Sequence, residues 1–115
     1  MPYRLINPIP LPLEEMAPPP DLFTHPSRLH GQAHTARVII HALALVEALG
    51  LPELAAPAWA AAYIHDIGRR HDGRCANHGR YALEKVETFP HLKALLARGG
   101  VQQHHWEIIA TMVEN

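Results

Sequence analysis

Histidines are the residues of this sequence with the most evident chemistry. Ten of the 115 residues are His, and they are scattered along the chain rather than gathered in one run. Three of them and an arginine are separated by four, three and four positions: His30, His34, Arg37 and His41. This spacing places the four side chains on one stripe of a helix. Such a stripe of imidazole and guanidinium groups indicates a functional face, because Lys and Glu are the usual residues of a merely solvated one.

A second group is the adjacent pair His65-Asp66, which ends a nearly all-apolar segment, 58–64. A helix of that composition is buried on most sides, and burial of a carboxylate without a partner is very costly. A metal cation or an arginine would offset that cost. Neighbouring helical residues point about 100° apart, so both side chains can reach one ion that lies between their directions. The alternative is a buried His-Asp hydrogen bond that only stabilises the core.

Four motifs follow one another along the chain: 29–38 (Leu-His-Gly-Gln-Ala-His-Thr-Ala-Arg-Val), 65–69 (His-Asp-Ile-Gly-Arg), Asp72-Gly73 and His78-Gly79. In this order they resemble the HD superfamily of metal-dependent phosphohydrolases, over roughly residues 28–115. The resemblance implies an all-α helical bundle. It also implies hydrolysis of a phosphate ester, of a nucleotide or another small metabolite, by a metal-activated water.

The resemblance implies a metal bound by His34, His65 and Asp66, with a further Asp on a later helix. A divalent transition metal (Mn, Fe, Co, Ni or Zn) is expected, because imidazole is a borderline ligand, with Mg as a further option. The pair His104-His105 is similar to the later His pair of members that bind two metals. For that pair, the alternative is to cap the final helix or to face solvent.

The metal-binding pattern of the family is incomplete in this sequence. No Asp follows Asp72, and the later acidic residues are all glutamates: Glu84, Glu87, Glu107 and Glu114. Two alternatives to an active enzyme therefore stay open. One is a non-catalytic metal- or ligand-binding module of the same fold. The other is a fragment or subunit whose site is completed by another chain.

The resemblance also implies three catalytic residues: Asp66, Arg69 and Arg37. Asp66 would orient or deprotonate the metal-bound water, and the two arginines would bind phosphate oxygens. Three further residues would contact the substrate: His30, Asp72 and His78. For Arg37 the alternative is an ion pair with a carboxylate such as Asp66, and for His30 it is a position facing solvent. His41 and Arg70 are expected at the surface.

Composition places the chain among ordinary globular proteins. Hydrophobic residues make up 48% and charged residues 18%, and 115 residues suit one domain. A net charge of −1 shows no basic excess, so neither a nucleic-acid surface nor a membrane patch is expected. A small phosphorylated substrate is the partner that the resemblance implies. The single cysteine, Cys75, is expected to be inert and fits a reducing compartment. With no apolar leader at the N-terminus, a cytoplasmic location is expected.

The elements that must position these residues follow from hydrophobic periodicity and helix signals. Proline-rich residues 1–26 predict an extended N-terminal arm, and residues 27–115 predict a helical domain. About five helices are predicted: 28–49 with Ser27 as N-cap, from near Pro57 to Asp66, 78–87, 91–97, and from near Val101 onward. The last helix is short for covering such a core, so a homodimer is expected through exposed apolar surface.

Overall fold

The computed structural model describes residues 8–25, 29–73 and 77–114. Within these ranges it contains no strand and five α-helices: α1 (Gln32–Leu49), α2 (Ala55–Ile64), α3 (His78–Thr88), α4 (Pro90–Arg98) and α5 (Trp106–Glu114). The all-α prediction is therefore confirmed. No helix of the described part combines the length and the apolar character that a bilayer crossing requires.

The first helix begins later than predicted. Its N-cap is Gly31, and the first helical hydrogen bond runs from the Thr35 N–H to the Gly31 carbonyl. His30 therefore lies in the turn before α1, and the prediction that it belongs to the helical stripe is wrong. The physical reason is Gly31, whose low helix propensity favours a helix end over a helix interior. The expected N-cap Ser27 lies outside the described residues.

The other boundaries of α1 to α4 lie within two residues of the predicted ones. α1 ends at Gly50, whose φ of 66° is the left-handed conformation that glycine adopts at helix ends. The pair Gly99-Gly100 separates α4 from the last helix, as predicted. That helix starts at Trp106 rather than near Val101, because Gln103–His105 form a 3-10 turn first.

The N-terminal segment 8–25 lies against the helices. It contains two 3-10 turns, Leu13–Glu15 and Pro20–Leu22, so the expectation of an extended arm is not confirmed. Its side chains Ile9 and Phe23 are buried in the core. Residues 1–7 lie outside the described part of the chain.

Helix α2 forms the centre of the core. Its residues Trp59, Tyr63 and Ile64 are at most 1% exposed, and the helix packs against α1 on one side and α5 on the other. The Trp59 indole N–H donates to the Met16 carbonyl at 2.9 Å, which ties the N-terminal segment to this helix. The prediction of a helix buried on most sides is confirmed. Its polar end, His65-Asp66, is therefore held in place by the packing of the whole bundle.

Three large aliphatic side chains of α1, Ile40, Leu45 and Leu49, are each 60–63% exposed. At about 100° per residue, Ile40 lies on one flank of the helix, and Leu45 and Leu49 lie on the other. The homodimer stays a prediction.

The turn that follows α2 approaches the backbone of α3 at Gly68. A Cβ atom on Gly68 would lie 2.4 Å from the Ala82 nitrogen and 2.8 Å from the His78 oxygen. These are backbone atoms of a packed helix, so they have little freedom to move away. Glycine is thus required for the turn that carries His65-Asp66 to rest on α3.

We predict that Gly68→Ala lowers the free energy of unfolding by about 1–3 kcal/mol, as overpacked sites do. Urea unfolding of chelator-treated protein would measure the loss. The matched control is Gly73→Ala, where a Cβ would lie 3.4 Å from its nearest neighbour, in the His71 side chain. That variant should stay within about 0.5 kcal/mol of the wild type. Equal midpoints for the two variants would contradict the proposed close contact.

A candidate metal centre

One carboxylate oxygen, Asp66 Oδ2, is the meeting point of three imidazoles. His30 Nδ1 lies 3.4 Å from it, His34 Nε2 3.3 Å and His65 Nε2 3.0 Å. His30 comes from the turn before α1 and His34 from the first turn of that helix, whereas His65 and Asp66 follow α2 directly. The packing of α1 against α2 therefore assembles a cluster from residues more than thirty positions apart in the sequence.

Local packing explains why these side chains face one another. The turn after α2 continues the helical path, with the Ile67 N–H donating to the Ile64 carbonyl at 3.2 Å. Both isoleucine side chains are fully buried and anchor the turn. On α1, Thr35 and Ile39 face the core, which leaves the neighbouring His34 at the edge of the α1–α2 contact. The cluster thus lies at the rim of the core, half-exposed on the histidine side and buried at Asp66.

The tautomer of His65 is set by the backbone. Its Nδ1 lies 2.6 Å from the Ala62 carbonyl oxygen, and because a carbonyl only accepts hydrogen bonds, Nδ1 carries a hydrogen. In the neutral ring Nε2 would then present a lone pair to the Asp66 carboxylate, 3.0 Å away. Two lone pairs at that distance require a cation between or beside them. The cation is either a second proton on His65 or a metal ion.

The charge of Asp66 orders the protonation of the cluster. Burial lowers the pKa of His65, but the hydrogen bond and the negative charge of Asp66 outweigh it, so that pKa is raised overall. Burial lowers the pKa of His34, and the neighbouring positive charges add to this against the opposing effect of Asp66. Burial would raise the pKa of Asp66, yet its contacts with His65 and Arg69 hold it well below its ordinary value. Asp66 is therefore ionised at neutral pH.

Arg69 holds the other oxygen of the same carboxylate. Its Nε donates to Asp66 Oδ1 at 2.9 Å, and its Nη1 donates to the Gly73 carbonyl at 2.7 Å. The side chain is only 15% exposed. Arg69 therefore fixes the direction of the carboxylate and leaves Oδ2 to the imidazoles, and two of its three nitrogens are already engaged.

His30, His34 and Asp66 could hold a metal ion, since one ligand atom of each lies within 4.8 Å of the others. Bonds of about 2.05 Å in tetrahedral coordination place neighbouring donor atoms about 3.3 Å apart. The His30 and His34 nitrogens lie 3.4 and 3.3 Å from Asp66 Oδ2, so these two donor pairs have that spacing. His34 and Asp66 were predicted as ligands. His30 was expected to contact substrate, and its signal as a ligand is the spacing His-x-x-x-His with His34.

Other predicted residues lie around this cluster rather than in it. Arg37 is exposed on α1, and its charge helps to lower the pKa of His34. Among the described residues no carboxylate pairs with Arg37, since Asp66 is paired with Arg69 instead. Asp72 lies on the exposed loop after the cluster and pairs with His25 at 3.4 Å, a contact that the sequence did not reveal.

The remaining predicted residues lie elsewhere or at the margin of the site. His78 begins α3, and its carbonyl faces Gly68. His41 is exposed further along α1, and Arg70 is exposed with its guanidinium 3.8 Å from the centre of the Tyr81 ring. The surface prediction for both residues is therefore confirmed. Cys75 lies outside the described residues.

The pair His104-His105 has a structural partner. His105 Nδ1 accepts a hydrogen bond from the Gln102 backbone N–H at 2.9 Å and completes a capping box on the turn that leads into α5. His105 thus caps this 3-10 turn, whereas the expected alternative was a cap on the final helix itself. Within the described ranges neither residue belongs to a cluster of three metal-binding groups, and the later glutamates are all exposed. A second metal at this pair stays a prediction.

No protein-family model, curated protein or solved structure matches the chain. The function is therefore inferred from the residues of the site.

We predict that His65 and His34 titrate in a fixed order in chelator-treated protein. His65 should keep its proton to a pH above the ordinary histidine pKa, and His34 should lose its proton below it. The stabilisation from protonated His65 is then fully present below the unfolded-state pKa and is lost as pH rises through the raised folded-state pKa. Histidine-detected NMR titration would measure both. Asp66→Asn should lower the pKa of His65, and a His34 pKa above that of His65 in the wild type would contradict this picture.

Proposed function

We propose that the protein is a metal-dependent phosphohydrolase of the HD superfamily, acting on a phosphate ester of a nucleotide or another small metabolite. The observation that carries the proposal is the convergence of three imidazoles on Asp66 Oδ2, at distances from 3.0 to 3.4 Å. An ionised, buried carboxylate among imidazole nitrogens is a ligand set for a divalent transition metal. The reaction class is suggested by the ordered sequence motifs around these residues.

Asp66 and Arg69 would have different roles in such a site. A divalent metal bound there supplies an activated water, because it lowers the pKa of the water toward neutrality. Asp66 is a weak base, since its pKa is held well below the ordinary value, so it serves as a ligand and orients the water rather than deprotonating it. Arg69 keeps the carboxylate in that orientation through its bond to Oδ1.

Arg37 is the better candidate for binding the phosphate. It lies one helical turn after His34, is exposed, and has no ion-pair partner among the described residues. A free guanidinium can bind two phosphate oxygens at once. Arg69 is less suited to this role, because its Nε and Nη1 already donate to Asp66 and Gly73.

One observation favours a second candidate function, a non-catalytic metal-binding module. In the described part of the chain, the cluster that could hold a metal has a single carboxylate, Asp66. The second acidic ligand that the family pattern implies is not supplied by the exposed glutamates: Glu84, Glu87, Glu107 and Glu114. Metal binding with no turnover would be the outcome of this alternative.

We predict that His34→Ala and Asp66→Ala each weaken the binding of Mn²⁺ or Zn²⁺ by more than about 100-fold, since loss of a ligand exceeds the loss of an outer partner. Isothermal titration calorimetry would measure the affinity, and circular dichroism would check that helicity is retained. His91→Ala is the matched control, because His91 is exposed on α4. The proposal fails if wild-type protein purified without chelator carries no metal and binds none above background.

We also predict that Arg37→Ala lowers kcat/KM for an aryl phosphate by roughly 10- to 100-fold, the loss expected for a hydrogen bond to a charged group. The affinity for the metal should not change, because Arg37 is not a ligand. Assays with p-nitrophenyl phosphate and added Mn²⁺ or Ni²⁺ would measure this, with the exposed Arg80→Ala as control. A metal-loaded wild type without turnover of any phosphate ester would favour the non-catalytic module.

A further inference from the structure

A partly buried lysine on α3 joins three parts of the molecule next to the candidate metal centre. The Lys85 ammonium donates to the Leu22 carbonyl of the N-terminal segment and, at 3.0 Å, to the Ile67 carbonyl of the turn after α2. Among the described residues no carboxylate pairs with Lys85. Its ammonium also lies 5.7 Å from the centre of the Phe89 ring.

An ammonium group in this position lowers the stability of the fold unless its hydrogen-bond acceptors would otherwise lack a donor. Burial alone lowers the pKa of Lys85, and a buried charge without a counter-ion destabilises the folded state. A methionine of similar length would fill the same space without that cost. The partners that depend on the ammonium are the two carbonyl oxygens, and a buried carbonyl without a donor is costly as well.

The Ile67 carbonyl is the point where these contacts converge. It accepts the Thr24 N–H at 3.0 Å in addition to the Lys85 ammonium. Ile67 follows Asp66 directly, and its own side chain is fully buried. The next residue, Gly68, rests on the backbone of α3. The Ile67–Gly68 peptide group, one residue beyond Asp66, is thus held by the N-terminal segment, by α3 and by the core at once.

We infer that Lys85 is a positioning residue of the metal centre, which fixes the Ile67 peptide and thereby the backbone from which Asp66 meets the three imidazoles. The inference rests on the proposed metal site. Donor atoms of such a site must stay within about 0.5 Å of their productive positions. Loss of a residue that orients a ligand typically weakens metal binding by 10- to 100-fold.

Titration of the full chain with Co²⁺ tests this role, because the visible absorption of bound Co²⁺ reports its coordination geometry. Lys85→Met should weaken Co²⁺ binding by about 10- to 100-fold and change the absorption spectrum. Lys85→Arg, which keeps a cationic donor, should recover part of the affinity. Lys93→Met is the matched control, since Lys93 is an exposed lysine whose ion pair is with Glu87.

A merely structural role for Lys85 predicts a different result. Val113→Ala removes a buried methyl pair on α5 and lowers stability without touching the turn. If Lys85→Met, like Val113→Ala, lowers the melting temperature but binds Co²⁺ with the affinity and spectrum of the wild type, the inference is overturned. If Lys85→Met does not fold, Lys85→Gln, which retains a neutral donor, takes its place with the same expected direction. A wild type that binds no Co²⁺ would instead contradict the proposed metal site.

Discussion

The carboxylate of Asp66 is only 4% exposed, and the rest of the site depends on how its charge is compensated. Taking one ion out of water costs several kcal/mol, whereas one opposite charge at about 4 Å returns about 4 kcal/mol at an effective dielectric constant near 20. The attraction of a single partner therefore roughly offsets the cost of burying the carboxylate. The protein provides Arg69 on one carboxylate oxygen and His65, whose pKa is raised, on the other, and these two contacts make the ionised form stable in that position.

The need to hold the Asp66 carboxylate among its partners also explains features of the fold that lie outside the site. The all-apolar helix α2 places Asp66 at the end of the core, and Gly68 then lets the following turn rest directly on α3. The N-terminal segment completes the support, since its Thr24 N–H and the bridging Lys85 both bind the Ile67 carbonyl. A carboxylate surrounded by four partners needs a fixed backbone, because each partner distance changes when that backbone moves.

Local signals were enough to predict much of this. The all-α class, the buried α2 and the boundaries near Gly50, His78 and Gly99 follow from hydrophobic periodicity and from glycine, which act over a few residues. Periodicity also produced the error at His30, because the His-x-x-x-His spacing is compatible with a helix that includes both histidines. The helix in fact begins after Gly31, its N-cap, so His30 lies outside it. Contacts such as Lys85 to Leu22 span 63 positions. They are set by how the helices pack, and no local pattern in the sequence carries that information.

The position of His65 decides which of the two proposed functions the cluster suits. Catalytic metal sites of the zinc type keep three protein ligands and leave a fourth position for water, whereas closed sites with four protein ligands are structural. His30, His34 and Asp66 form a set of three. His65 donates its Nδ1–H to the Ala62 carbonyl and turns Nε2 toward Asp66 Oδ2, which is the usual arrangement of a histidine that binds a metal through its other nitrogen. With His65 outside the coordination sphere, a metal held by His30, His34 and Asp66 would keep an open position for water. With His65 as a fourth ligand the site is closed and suits the non-catalytic module.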